Sequence, residues 1–149
     1  MKLSKMGIDL ITSFEGFSAK PYLDGGGVPT IGYGSTYHLD GRKVTLHDEP
    51  ISKEQASALM LGTIKQYEDA VNKAIKQPIS QNKFDACVSL AYNIGPTNFA
   101  KSTLVQLINE GKPEKTIAAQ FLRWNKDNGK IAAGLTARRQ TEKELFLKK

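Results

Sequence analysis

Two carboxylates and one hydroxyl, Glu15, Asp24 and Thr30, fall within sixteen residues of each other in "FEGFSAKPYLDGGGVPTIGYGS", residues 14–35. An acid, a base and a hydroxyl are the equipment of acid–base hydrolysis. One carboxyl protonates a leaving group, the other takes a proton from water, and the hydroxyl orients that water. Glu15 sits where three influences favour its protonated form: a core-facing stripe, flanking Phe14 and Phe17, and the negative end of a helix. A general acid needs that form. Asp24 has the opposite setting, a glycine-rich turn open to water that keeps a carboxylate ionised. Each residue alone also has a plainer role. Glu15 can end a helix in solvent or pair with Lys20, Asp-Gly is a common hairpin turn, and Thr30 is an ordinary strand residue. The combination is what points to catalysis.

The elements around these residues follow from periodicity and caps. Ser4 caps a first helix in which Met6, Ile8, Leu10, Ile11 and Phe14 fill one half-circle, Glu15 falls beside Ile8 and Ile11, and Gly16 is the stop. Residues 22–45 change to short β-favouring runs, "PYLD", "VPTIGYG" and "RKVT", with hairpin signals at Asp24-Gly25 and Asp40-Gly41, predicting a small antiparallel sheet of three strands. Ser52 and Gln55 form a capping box that starts a long amphipathic helix running toward Pro78. Further helices are predicted over 80–93 (stop at Gly95), 102–110 (stop at Gly111), 113–124 and 135–147. The 80–93 helix is apolar around most of its circumference and should be central to its lobe. The class is therefore α+β in a single domain, 1–149: a sheet-bearing lobe over about 14–51, a connecting helix over about 52–77, and a helical lobe over about 78–149 with the first helix packed near it. A cleft between the lobes is the expected ligand site.

A chain of 149 residues, 40% hydrophobic and 24% charged, is ordinary globular composition without repeats, which excludes collagen-like and disordered classes. Asp9 and Glu15 interrupt the apolar stretch of 6–14, so no signal peptide or membrane span is expected, and production in the cytosol is. The single Cys87 lies among apolar neighbours and reads as a buried core residue. The net charge of +6 is concentrated at one end, because residues 121–149 hold eight Lys or Arg against three acids. That surplus predicts either an anionic partner or a solvated helix face. His38 and His47 stand apart in loop-like sequence and read as surface residues, with no metal site. "GGGVPT" lacks the lysine and helix of a phosphate loop, so no cofactor is implied, and the final basic segment carries no nucleic-acid motif.

Taken together, Glu15-Gly16, Tyr22-Leu23-Asp24 and Gly27-Val28-Pro29-Thr30-Ile31-Gly32-Tyr33-Gly34 resemble the active-site signature of the phage-type lysozymes, the endolysins of glycoside hydrolase family 24. The intervals of nine residues from Glu15 to Asp24 and six from Asp24 to Thr30 match that family's triad. "FDACVSLAYNIG", "STLVQLIN" and "FLRWNKDNGKIAAGLTARRQTEKELFL" extend the similarity over nearly the whole chain. Ser35 departs from the pattern, since many members carry His after "GYG". The resemblance implies a lysozyme-like fold and hydrolysis of the β-1,4 bond between N-acetylmuramic acid and N-acetylglucosamine in peptidoglycan. By position, Glu15 is then the general acid, Asp24 the carboxylate on the opposite face, and Thr30 a residue that places water, with Tyr92 and Asn93 lining the substrate cleft.

The resemblance also implies a monomer that needs no cofactor and binds no nucleic acid. It would wait in the host cytoplasm for holin-type lesions made by a separate protein, act on peptidoglycan glycan strands, and touch the anionic envelope through its basic end. Inversion at the anomeric carbon is expected, because a helix-end acid and a turn carboxylate nine residues on favour a gap wide enough for water. Two other readings stand beside hydrolysis: a catalytically silent glycan-binding module, and a lytic transglycosylase that leaves a 1,6-anhydro end. Retention of Asp24 favours hydrolysis, because the transglycosylase needs no water-activating carboxylate.

Overall fold

The structure, a computed structural model, describes residues 1–149. In chain order it contains α1 (Lys5–Glu15), β1 (Ser18–Leu23), β2 (Pro29–Gly32), α2 (Lys53–Ala74), α3 (Gln81–Ile94), α4 (Pro96–Ala100), α5 (Thr103–Asn109), α6 (Glu114–Ala118), a 3-10 turn (Ala119–Trp124), β3 (Lys126–Asp127), β4 (Lys130–Ile131) and α7 (Ala133–Leu147). The class is α+β, as the sequence pattern implies. No helix is long and apolar enough to cross a membrane. The chain divides into two compact units, one of residues 11–65 and the other of residues 1–10 with 66–149.

The smaller unit is built on β1 and β2, which pair antiparallel with Tyr22 opposite Thr30 and Leu23 opposite Pro29. Behind the sheet, Ile31, Val44 and Leu59 form a small core with Ile51 against it. Gly32 shows how closely β2 approaches α2. Its φ is +67°, and an added Cβ would lie 3.0 Å from the Cβ of Ala56. Only glycine satisfies both conditions. The capping box forms as predicted: Gln55 N–H donates to Ser52 Oγ at 3.1 Å, and Ser52 N–H donates to Gln55 Oε1 at 2.8 Å.

The third strand is a correction. Between Gly32 and α2 the chain makes only isolated bridges, Ile31 to Ser35 and Tyr37 to Lys43. Gly32 and Gly34 both have positive φ, so the chain doubles back within Ile31–Ser35 before a longer ladder can form. Side chains hold the following loop instead. Asp48 accepts from Thr45 N–H at 2.9 Å and Thr45 Oγ1 at 2.8 Å, and pairs with His38 Nε2 at 2.6 Å. His38 is thus not the surface histidine expected, since only 16% of its side chain is exposed. His47 is exposed.

The larger unit centres on α3, whose residues 84–91 are all buried. Ser80 caps it by accepting from Lys83 N–H, and Gly95 ends it. Its principal partner is α7, and Phe121 and Phe146 meet at 5.5 Å beside them. Cys87 is buried, and burial pushes its thiol far above the usual range, which makes it the inert core residue expected. The first residues of α1 belong to this unit. Asp85, fully buried, accepts from Ser4 N–H at 3.1 Å, from Ser4 Oγ, and from Gln81 Nε2 at 2.8 Å.

Four local elements differ from the sequence reading. The helix predicted to run to about residue 77 ends at Ala74, whose carbonyl accepts from Asn109 Nδ2 at 2.9 Å. The predicted 113–124 helix is α6 followed by the 3-10 turn, and α4 and the β3–β4 hairpin were not anticipated.

Candidate active site

Glu15 closes α1 and is half-buried. Gly16 follows at φ +69° and donates its N–H to Thr12 O at 3.3 Å, so the carboxyl stands at the carbonyl end of the helix. Phe17 then packs on Tyr33 with ring centroids 5.5 Å apart, and Lys53 Nζ lies 5.7 Å from the Phe17 ring centre. These contacts fix the path from the acid into β1.

Asp24 follows β1 in an exposed turn. Its Oδ1 accepts two main-chain bonds, from Gly26 N–H at 2.8 Å and Val28 N–H at 2.9 Å. The Asp24 main chain also pairs with this valine, its N–H donating to Val28 O at 3.0 Å. The glycines let the backbone fold around the side chain, which fixes the carboxylate by one oxygen and leaves Oδ2 for another partner. Thr30 is 4% exposed, and its Oγ1 donates to the same Val28 carbonyl at 2.9 Å. A hydroxyl has one proton to give. With that proton committed, the remaining capacity of Thr30 Oγ1 is to accept. Val28 therefore joins Asp24 and Thr30 through its main chain.

Tyr92 and Asn93 stand in the last turn of α3. Tyr92 is half-buried and packs edge-on to Tyr67 at 5.1 Å between ring centres. Asn93 is exposed, and its Oδ1 accepts from Arg139 Nη2 at 2.8 Å. Arg139 in turn pairs through Nε with Glu142 Oε1 at 2.9 Å, and Arg138 Nε approaches Glu142 Oε2 at 3.4 Å. Ser89 Oγ also donates to Glu142 Oε2. Burial pushes the Glu142 carboxyl up and the Arg139 guanidinium down, while their mutual attraction opposes both shifts.

The sequence reading did not single out Val28, Arg139 or Glu142. Val28 acts through its backbone, which carries no residue-type signal. The arginines look like part of a basic surface run, yet both are buried, so two of the eight cations in residues 121–149 are withdrawn from the surface. The spacing of Arg138 and Arg139 to Glu142, four and three residues along one helix, is the available sign of an internal pair.

The family profile described as phage lysozyme matches residues 12–142. The chain is 41% identical to an endolysin of Bacillus phage B103 over 99% of its own length and 54% of the relative's. It is 40% identical to an endolysin of Acyrthosiphon pisum secondary endosymbiont phage 1 over 98% of each chain. The chain thus spans about half the length of the Bacillus phage endolysins it matches, and nearly all of the second relative. Among solved structures, the endolysin from Escherichia coli O157:H7 phage FAHEc1 superposes with a TM-score of 0.90 at 40% identity, covering 99% of this chain and 94% of that one.

Proposed function

Because the chain belongs to the phage lysozyme family, we propose that it is a muramidase, hydrolysing the β-1,4 bond from N-acetylmuramic acid to N-acetylglucosamine in peptidoglycan with inversion. The observation that carries this reading is the double use of Val28. One oxygen of Asp24 is tied to main-chain N–H groups, and the hydroxyl proton of Thr30 is spent on a carbonyl. Asp24 Oδ2 and Thr30 Oγ1 are then two acceptors for the two protons of one water. A water so held keeps an oxygen lone pair for attack. As it attacks the anomeric carbon, Asp24 takes one proton and Glu15 gives its own to the departing glycosidic oxygen. The bond order lost at the leaving group is gained to water, and the anomeric centre is inverted. The cell wall is the proposed place of action, reached from the host cytoplasm through holin-type lesions.

Purified cell walls digested by the wild type and by Glu15→Gln test the proposal. Mass spectrometry should find hydrated reducing ends released by the wild type alone, and proton NMR within minutes should find them first in the α configuration. Fragments with 1,6-anhydro ends would make the protein a lytic transglycosylase, and binding without release would make it a silent glycan-binding module. An initial β product would make Asp24 a nucleophile.

A further inference from the structure

Asn128-Gly129 is the one Asn-Gly pair in the chain, and it forms the turn of the β3–β4 hairpin. Both residues have positive φ, +51° and +79°, and Asn128 is the only residue other than glycine that does. Residues 126–131 are all exposed, and a Cβ added at Gly129 would meet nothing within 4 Å. Gly129 stands between the paired Asp127 and Lys130, outside the ladder, so its N–H is committed to neither strand. The other six asparagines each precede a residue with a side chain, and five of them lie in helices, where the following N–H is held by helix or cap bonds.

We propose that Asn128 is a site of spontaneous deamidation, and that the isoaspartate formed there opens the hairpin. Once base in the solvent has taken the Gly129 N–H proton, that nitrogen attacks Asn128 Cγ. An N–C bond forms, the bond from Cγ to the side-chain nitrogen breaks, and the amide leaves as ammonia with a proton from solvent. Water then adds to one of the two carbonyls of the five-membered ring, giving aspartate or isoaspartate. One water enters, one ammonia leaves, and nothing is oxidised or reduced. Glycine favours the step, because no Cβ shields its nitrogen or restrains the chain. The two products differ in structure. Aspartate keeps the main chain and the Asp-Gly pair that such a turn accepts. Isoaspartate routes the main chain through the former side chain, which adds one methylene to a turn of two residues. β3 and β4 are two residues each, too short to hold a register that the turn no longer sets. The step needs no glycan and no part of the proposed catalytic site.

The test ages the purified protein at pH 8 and at pH 6 and locates the change by fragmentation in a mass spectrometer. Residue 128 should gain one mass unit, sooner at pH 8, each event lowering the net charge of +6 by one. A protein isoaspartate methyltransferase should label the aged chain. Trypsin should then cut aged wild type beside Lys126 and Lys130 faster than fresh protein. Asn128→Asp, which carries the charge without the extra methylene, should resist as fresh protein does. Asn128→Gly keeps a turn-forming pair and should show neither the mass gain nor the faster cutting. No gain at residue 128, or an earlier gain at another asparagine, overturns the site. Isoaspartate at residue 128 with unchanged cutting overturns the opening of the hairpin, and both outcomes are read on wild type whether or not the variants fold. Fresh Asn128→Asp cut as fast as the aged chain would assign the opening to charge and overturn the role of isoaspartate.

Discussion

Asp24 and Val28 are bound to each other twice, carboxylate to N–H at 2.9 Å and N–H to carbonyl at 3.0 Å, and the same carbonyl accepts from the Thr30 hydroxyl at 2.9 Å. On the proposed muramidase mechanism the turn is therefore part of the catalytic apparatus as well as a connection between strands. Asp24→Asn can keep both accepted bonds through its amide oxygen while losing the basic carboxylate. It should unfold at the wild-type temperature and lose about 10²–10⁴-fold in kcat. Asp24→Ala should lose the same activity and also unfold earlier. Equal midpoints for the Asn and Ala variants would show that the two backbone bonds contribute nothing to the turn.

Thr30→Val keeps the shape of a buried residue and removes the hydroxyl. The lost bond to Val28 should lower stability by about 1 kcal/mol, and the lost acceptor should lower kcat about tenfold or more, with Thr30→Ser near wild type on both counts. Urea unfolding and turnover measured on the same preparations check this. Val and Ser variants of equal activity would remove the hydroxyl from the water's path.

Where signals are local, the sequence is a good guide to this fold. Ser52 with Gln55 caps as its spacing predicts, and the helices expected to start at Ser80 and Ser102 are capped by those serines, because a cap needs only its neighbours. The Glu15 and Asp24 positions, a helix end and an Asx turn, are legible for the same reason. Strand pairing is not local. "RKVT" has strand composition but makes a single bridge, since Gly34 and the Asp48 side chain set the path of residues 34–48. Nor does residue type say where a charge lies: Arg139 looks like its basic neighbours and is fully buried.

Ser35 stands 1% exposed, and its hydroxyl has no hydrogen-bond partner. A buried hydroxyl without a partner has lost water and gained nothing. Ser35→Ala should therefore leave the unfolding free energy unchanged or raise it by up to about 1 kcal/mol in chemical denaturation. A loss of 1 kcal/mol or more would mean that an ordered water holds this hydroxyl.

The His38–Asp48 pair gives the smaller unit a dependence on acid. His38 and the two Thr45 donors hold the Asp48 carboxyl well below its ordinary value of 3.8. A carboxylate lowered on folding stabilises the native state at all pH above the unfolded value, and that contribution is lost as the pH falls below 3.8 toward the folded value. Asp48→Asn should be less stable than wild type at pH 6, and the difference should shrink as the pH is taken below 3.8. A difference that stays constant down to pH 2 would assign it to packing.

Lys148 and Lys149 remain exposed at the end of α7, their carbonyls accepting from Asn82 at 3.3 and 3.5 Å. If they attract an anionic envelope, activity on whole walls should fall with salt, and Lys148→Gln with Lys149→Gln should flatten that fall without changing cleavage of a short soluble oligosaccharide. A salt profile identical to wild type would leave them a solvated helix end.

Ser4 and Asp85 are 81 residues apart in sequence and share two hydrogen bonds. The start of the first helix therefore leaves the ribosome well before the residue that anchors it. At roughly 5–20 residues per second, that interval is about 4–16 s. During it the smaller unit, residues 11–65, is complete in sequence, whereas the larger unit lacks both its central helix and α7. A nascent chain halted before residue 85 should thus leave residues 1–10 open to protease. A chain of this design cannot finish folding until its last helix has been made.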